Sequence, residues 1–227
     1  MGTSIRHTAI YQRRRGVNLA AAAVGLGAAY AWLGDTLPAV GQPTGDWVDV
    51  VGGLSAAQTG APLVGTLNGR KAPLFTGTQW FQTTPFADMN QPFSVVAVTA
   101  ASSITGSVFA VCGLRGAANV GIERVGAAWR ILAQTALPTG DIIAANVPVV
   151  IRGVFNGAAS ELWINGSLVA SGDAGTTGID VVTIGARSGF ITPWLGTIGA
   201  LVIFPAATIA NAATFAALAQ QAYGITP

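Results

Sequence analysis

Apolar residues in this chain recur mostly at every second position, in about a dozen short runs separated by turn-forming residues every eight to twelve positions. The runs predict strands near residues 47–51, 73–76, 79–83, 93–100, 107–113, 119–124, 128–133, 147–155, 160–165, 168–171, 180–185 and 197–204. The strongest local signal is Glu161–Ser171, where two alternating runs flank Asn165-Gly166. That dipeptide takes positive φ at both centres of a type I′ turn at low cost, so the segment predicts a hairpin. Asn68-Gly69 and Asn156-Gly157 mark two further tight turns. Over 196–204, glycines punctuate a strand where another chain segment passes close. The last segment predicts a helix near 211–223, with Asn211 as N-cap, Phe215, Leu218 and Tyr223 on the apolar side, and Gly224 as the stop. No fixed-period repeat runs through the chain, which argues against propellers and solenoids. The pattern predicts one antiparallel sandwich from about residue 46 to 205, closed by a short helix.

The first 45 residues do not follow this pattern. Residues 1–15 are polar and basic, 16–34 carry no charge, and 35–46 form a Pro/Gly linker. The uncharged segment supports three readings. Behind Arg13, Arg14 and Arg15, and holding Ala29-Tyr30-Ala31, it resembles a secretory signal with a small-residue cleavage site. At nineteen residues it reaches the lower limit of a membrane span. Leu19, Ala23, Leu26, Tyr30 and Leu33 also form a seam at 4-3-4-3 spacing, as a packing helix would. Gly25 and Gly27 each cost such a helix about 1 kcal/mol. The reading adopted is an anchoring arm over 1–45, ordered against partner subunits and followed by a globular domain over 46–227.

Composition narrows the function. Half of the 227 residues are apolar and only 9% are charged, a surface suited to contact with other subunits. Four arginines against Asp35 give residues 1–45 a net +3, whereas seven bases against eight acids give 46–227 a net −1. The globular domain therefore has no electrostatic footprint for nucleic acid. Cys112 is the sole cysteine and reads as a small core residue, and no intramolecular disulfide is available. The one histidine, His7, lies outside the globular domain, which leaves that domain without a catalytic triad or a histidine zinc ligand. Asp46 and Asp49 are spaced for opposite faces of a strand, and Glu161 opens a hairpin as a solvated charge would. Trp163 reads as core. Trp80, Phe190 and Trp194 lie near turns and are candidates for a sugar-stacking platform.

The order hairpin, strand "VVTIG", strand "GTIGALVIF" and short helix, with the NG-centred hairpin "LWINGSLV", resembles the end of the concanavalin A-like (laminin-G-like) jelly roll. The likeness is specific over about 147–227 and extends more weakly to residue 46. Enzymes on this fold that carry Glu-x-Asp-x-(x)-Glu on one strand have no counterpart here, so the expectation is a protein that is not an enzyme. Because many laminin-G-like domains hold calcium, the resemblance makes Asp88, Asp173 and Asp180 the loop candidates for such an ion; no other cofactor is implied. Domains of this kind recur in tailed-bacteriophage virions as capsid decorations, head spikes and tail or fibre parts. The resemblance thus implies a virion structural protein held by Arg13–Arg15, Leu19, Leu26, Tyr30 and Leu33. Its partners would be capsid, portal or tail proteins, further copies of itself, and a host-surface glycan. The alternative is a cell-surface or secreted glycan-binding module with 16–34 as membrane anchor or signal. A third reading is a glycosidase-fold protein that has lost its acids.

Overall fold

The computed structural model describes residues 16–226 apart from 105–108, 116–119 and 188–189. Two antiparallel sheets face each other. The back sheet runs, in spatial order, through β14 (Ser167–Gly172), β13 (Ser160–Ile164), β12 (Val149–Phe155), β7 (Phe93–Ala101), β16 (Leu195–Pro205), β5 (Arg70–Thr76) and β4 (Leu63–Leu67). Strand β1 (Tyr30–Leu33) also pairs with β16. The front sheet runs β11 (Ala136–Ile142), β10 (Ala128–Ala133), β9 (Val120–Val125), β8 (Phe109–Gly113), β15 (Thr183–Ile184), β6 (Trp80–Thr83), β3 (Ser55–Thr59) and β2 (Trp47–Val48). This is the all-β sandwich that the alternating pattern predicts. Asn68-Gly69 and Asn165-Gly166 both adopt positive φ and turn the β4–β5 and β13–β14 hairpins. At Asn156-Gly157 only the glycine is left-handed, and it opens a single 3-10 turn instead.

Between the sheets lies a core that includes Trp32, Trp47, Trp129, Trp194, Phe75, Phe81, Phe93 and Phe155. A second core covers the outer face of the back sheet. There α2 (Asn211–Tyr223) lies over β7, β12 and β16, and α1 (Leu19–Gly25) packs against α2 and β1, in a cluster that buries Val96, Val98, Val202, Phe204, Phe215 and Tyr223. Tyr223 reaches across to Gly199, whose carbonyl accepts its hydroxyl proton at 2.7 Å. A Cβ on Gly199 would stand 2.6 Å from that hydroxyl oxygen, which is the close passage the glycine pattern predicts.

The arm is the main correction. From residue 16 onward it belongs to the sandwich. Tyr30 to Leu33 pair in register with Ile203 to Ala200, along the same edge of β16 that β5 occupies further up. As a strand, β1 serves both cores: Tyr30 and Trp32 join the inner one, Ala31 and Leu33 the outer. The 4-3-4-3 seam breaks because Gly27 turns left-handed (φ 74°) and stops the helix after seven residues. Leu19 is buried and Leu26 packs beside it, so these residues face the chain's own back sheet. Asp49 fixes the arrangement by accepting from the backbone N–H groups of Ala31, Val51 and Gly52. At the end of β1, Gly34 passes so close to Lys71 that a Cβ would stand 1.9 Å from its carbonyl oxygen. Asn211 also departs from expectation. It begins α2 without capping it, and its side-chain amide donates to the Leu26 carbonyl at the end of α1. Among the described residues no helix is long and apolar enough to cross a membrane. Arg13, Arg14 and Arg15 lie outside the described residues.

Candidate functional site

The two ends of the chain cover the back sheet, and the outer face of the front sheet carries the side chains suited to a ligand. On β6, Phe81 and Thr83 point inward, so Trp80 and Gln82 alternate outward. Gln82 stands opposite Thr183 of β15 and donates to its hydroxyl at 3.3 Å. After β15 the chain loops back over this face, closed by the Trp194 N–H donating to the Gly185 carbonyl at 2.7 Å. Within the loop, Arg187 and Ile191 bridge, and Phe190 is laid on Trp80 with ring centroids 4.8 Å apart and planes 26° apart. Phe190 is 44% exposed and Ile191 52%.

This loop is strained. Phe190 (φ 61°) and the β-branched Thr192 (φ 52°) both sit in the left-handed region. Each such residue costs on the order of 1–3 kcal/mol and persists only where the surroundings impose it, commonly at binding sites.

Two polar groups flank the aromatic pair. At one side, Glu123 of β9 is almost fully buried between Arg130 and Arg187. Arg130 donates through Nε and Nη2 to Oε2, at 3.0 and 2.7 Å, and Arg187 Nε donates to Oε1. Both carboxylate oxygens are therefore engaged. At the other side, Gln82, Thr83, Pro85, Asp180 and Val181 line a groove of about 220 Å³. Gln82 lies roughly 7 Å along the strand from Trp80, two residues at the strand's rise. The Asp180 Oδ1 atom is buried there without a hydrogen-bond partner among the described residues, and its Oδ2 lies 4.0 Å from Arg115, which faces Asp88 at the same distance. A buried, unpaired acceptor gains from a donor supplied by a ligand. The aromatic face offers apolar contact to a C–H surface, and the groove that starts at Gln82 and runs on to Asp180 offers acceptors to hydroxyl groups.

The structure brings together two of the three platform candidates, Trp80 and Phe190. Trp194 is fully buried, packed 5.7 Å from Trp129 in the inner core, and cannot touch a ligand. Trp163 is the reverse case. It alternates outward with buried Leu162 and Ile164 on either side and is only partly buried, its ring under the Arg152 guanidinium at 4.4 Å. The calcium candidates do not converge: Arg115 stands between Asp88 and Asp180, while Asp173 accepts from the Gly175 N–H in its own turn. No group of three His, Cys, Asp or Glu residues able to hold a metal occurs among the described residues. Cys112 is buried in the inner core, where burial pushes its thiol up to about 12. Gln82, Arg130 and Arg187 were not singled out by the sequence. The outward alternation Trp80-x-Gln82 would have found the first, but the ion cluster joins residues 64 apart in the chain.

No family model matches the sequence, and no curated protein matches it. Solved structures do. Domain 4 of a GH43 extracellular arabinanase from Geobacillus stearothermophilus, in complex with arabinotriose, superposes with TM-score 0.59 at 14% identity, over 84% of this chain and 98% of that one. A Trypanosoma rangeli sialidase gives 0.61 at 13% identity over 96% of this chain, which spans 39% of the sialidase. A botulinum neurotoxin type C structure, from a protein dependent on two ganglioside molecules for entering cells, gives 0.60 at 9% identity, over 86% of this chain and 52% of that one. At these identities the likeness establishes the β-sandwich fold.

Proposed function

We propose that this chain is a non-catalytic glycan-binding module whose site is the front-sheet face around Trp80, Phe190, Gln82 and Asp180. The observation that carries this reading is the Trp80–Phe190 stack, in which a left-handed phenylalanine lays a ring that is 44% exposed on the outward tryptophan. Strain of that kind is retained where it presents a side chain. The fold neighbours add support from their own ligands, arabinotriose for the arabinanase domain and gangliosides for the neurotoxin. The test is a glycan array followed by titration of the best ligand. Trp80→Ala and Phe190→Ala should each weaken binding tenfold or more, and Gln82→Ala by less. An array without a hit, or a double Trp80/Phe190 variant that still binds, overturns the reading.

Absence of catalysis rests on the chemistry at hand. Both oxygens of Glu123 are engaged by arginines, and Arg115 separates Asp88 from Asp180. Neither arrangement offers the pair of carboxyl groups free of arginine contacts that glycoside hydrolysis uses. Turnover of laminarin, agarose or a peptidoglycan fragment that vanished in Asp180→Asn or Glu123→Gln would refute it.

A virion setting is the finer proposal. Its support is the sequence resemblance and the 9% charge, which suits a protein packed among subunits. With residues 16–45 built into the sandwich, the proposed anchoring role passes to residues 1–15. Detection of the protein in purified particles, and its loss from them on deleting residues 1–15, would support this proposal; absence from particles would end it.

A further inference from the structure

The back sheet has a groove of its own, on the opposite side of the molecule from Trp80. It runs between α2 and the β12–β13 strands and has a volume of about 300 Å³. Ala213, Ala216 and Ala217 form one wall, Val150 and Trp163 the floor, with Arg152 and Gln220 at its polar positions. The alanines explain the space: on a helix laid over a sheet, methyl groups leave a gap that Leu or Phe would fill.

The groove contains two unengaged donors. Gln220 is only 8% exposed, and its buried Nε2 has no hydrogen-bond partner. Such an atom in an apolar wall costs stability unless something accepts from it. The amide lies beside Gly166 of the β13–β14 turn, where a Cβ would be in ordinary contact with it, 3.7 Å from Gln220 Oε1. At the other end, Arg152 lies directly across from Trp163 in the ladder and rests on its ring, while the Trp163 indole N–H donates to Glu161 Oε2 at 2.7 Å. The Arg152 guanidinium has no hydrogen bond to a described residue, and burial lowers its pKa, with Glu161 opposing. The Trp163 ring holds the guanidinium at the mouth of the groove, where its N–H groups can meet an acceptor. Arg152 lies two residues along β12 from Val150, which pairs with Asn165 beside Gly166, so the strand positions beneath the two donors are about 7 Å apart.

We infer that this groove is a second binding site, for a small carboxylate with an apolar body. A planar guanidinium edge matches a carboxylate in shape and charge. Alanine and valine walls match a ring or short chain, and the Gln220 amide meets an acceptor or π-face at the far end. This site is independent of the front-sheet reading and survives if that reading fails.

Benzoate is the probe, and benzyl alcohol its uncharged counterpart. In the full-length protein, benzoate should shift the Trp163 indole and Gln220 side-chain amide signals in 1H–15N spectra, saturably. Benzyl alcohol should bind at least tenfold more weakly. Arg152→Gln should weaken benzoate tenfold or more, and so should Ala217→Phe, which fills the groove from an exposed helix position and leaves the polar groups intact. Trp80→Ala should leave the titration unchanged. Equal binding of the two probes, wild-type benzoate affinity in either groove variant, loss of the response in Trp80→Ala, or no saturation by ~10 mM would each overturn the inference.

Discussion

The outer faces of the two antiparallel sheets end in opposite states. On the back sheet, all nine residues of β7 are buried, and most of β16 is buried as well. Both faces of those strands are apolar, so an exposed outer face would leave Val96, Val98, Val202 and Phe204 in water. The chain covers them with its own ends, α1 and β1 from one terminus and α2 from the other. On the front sheet, the outward positions include Trp80, Gln82, Glu123 and Arg130, and the cover seen among the described residues is the strained loop that presents Phe190. One face is spent on stability and the other is left for contact. Substitutions should separate along that line.

The largest effect is expected beneath the cover. Phe215 is fully buried with its ring 5.8 Å from Phe204, and Phe215→Ala should destabilise by about 3–5 kcal/mol, read as a lower urea midpoint. A loss below about 1 kcal/mol would mean that α2 is not a working part of the core. The front sheet has one position of comparable weight. Glu123→Gln leaves Arg130 and Arg187 facing an amide, at a cost of about 2 kcal/mol. The cost stays below that of a sealed ion pair because the arginine side chains remain 24% and 17% exposed. An unchanged midpoint would show that the cluster contributes nothing to stability and would free Glu123 for another role.

Much of this contrast was legible in the sequence. The run Phe93–Ala101 has almost no polar alternation, which in an antiparallel sheet signals burial on both faces. Two apolar segments, 16–34 and 211–223, were then available as cover. The helix over 211–223 was read correctly, whereas 16–34 was taken for an arm because heptad-like spacing masked the strand Tyr30–Leu33. Four residues are too few for a period of two to compete with a seam that spans fifteen. Strands β3, β4 and β11 also escaped notice, since Ser55–Thr59 and its like are half polar and short. At the site, Trp80 and Phe190 were named as neighbours of turns. Their stacking is not legible, because it depends on a left-handed φ at Phe190 itself, a residue type that does not announce one.

Alkaline pH should act on the covered face. Burial holds the Tyr223 hydroxyl well above the usual tyrosine range; Asp35 adds to the shift and Arg70 opposes it. The folded state thus keeps a proton that the unfolded chain releases above about pH 10, and stability falls as pH rises past that value. Cys112, pushed from 9.0 to about 12 by burial, pulls the same way from about pH 9 upward. Tyr223→Phe should cost about 1 kcal/mol at pH 7 through the lost bond to Gly199, yet flatten the decline above pH 10. An unaltered slope would mean that the hydroxyl titrates freely and the cover is open.

The smallest effect on stability should come from the residue that matters most for binding. Replacing Phe190 by Gly removes a side chain that is 44% exposed and relieves a left-handed φ of 61°. Strain relief on the order of 1–3 kcal/mol is offset by the lost aromatic contact, about 0.5–1.5 kcal/mol, and by the greater freedom of glycine in the unfolded chain. The terms oppose one another, so the urea midpoint of Phe190→Gly should move by less than the equivalent of about 1 kcal/mol, in either direction. Glycan binding should nonetheless fall by tenfold or more, because Trp80 loses the ring that extends its face. A clear loss of stability with binding intact would invert the comparison, making the loop a structural clasp and placing any ligand elsewhere on the sheet.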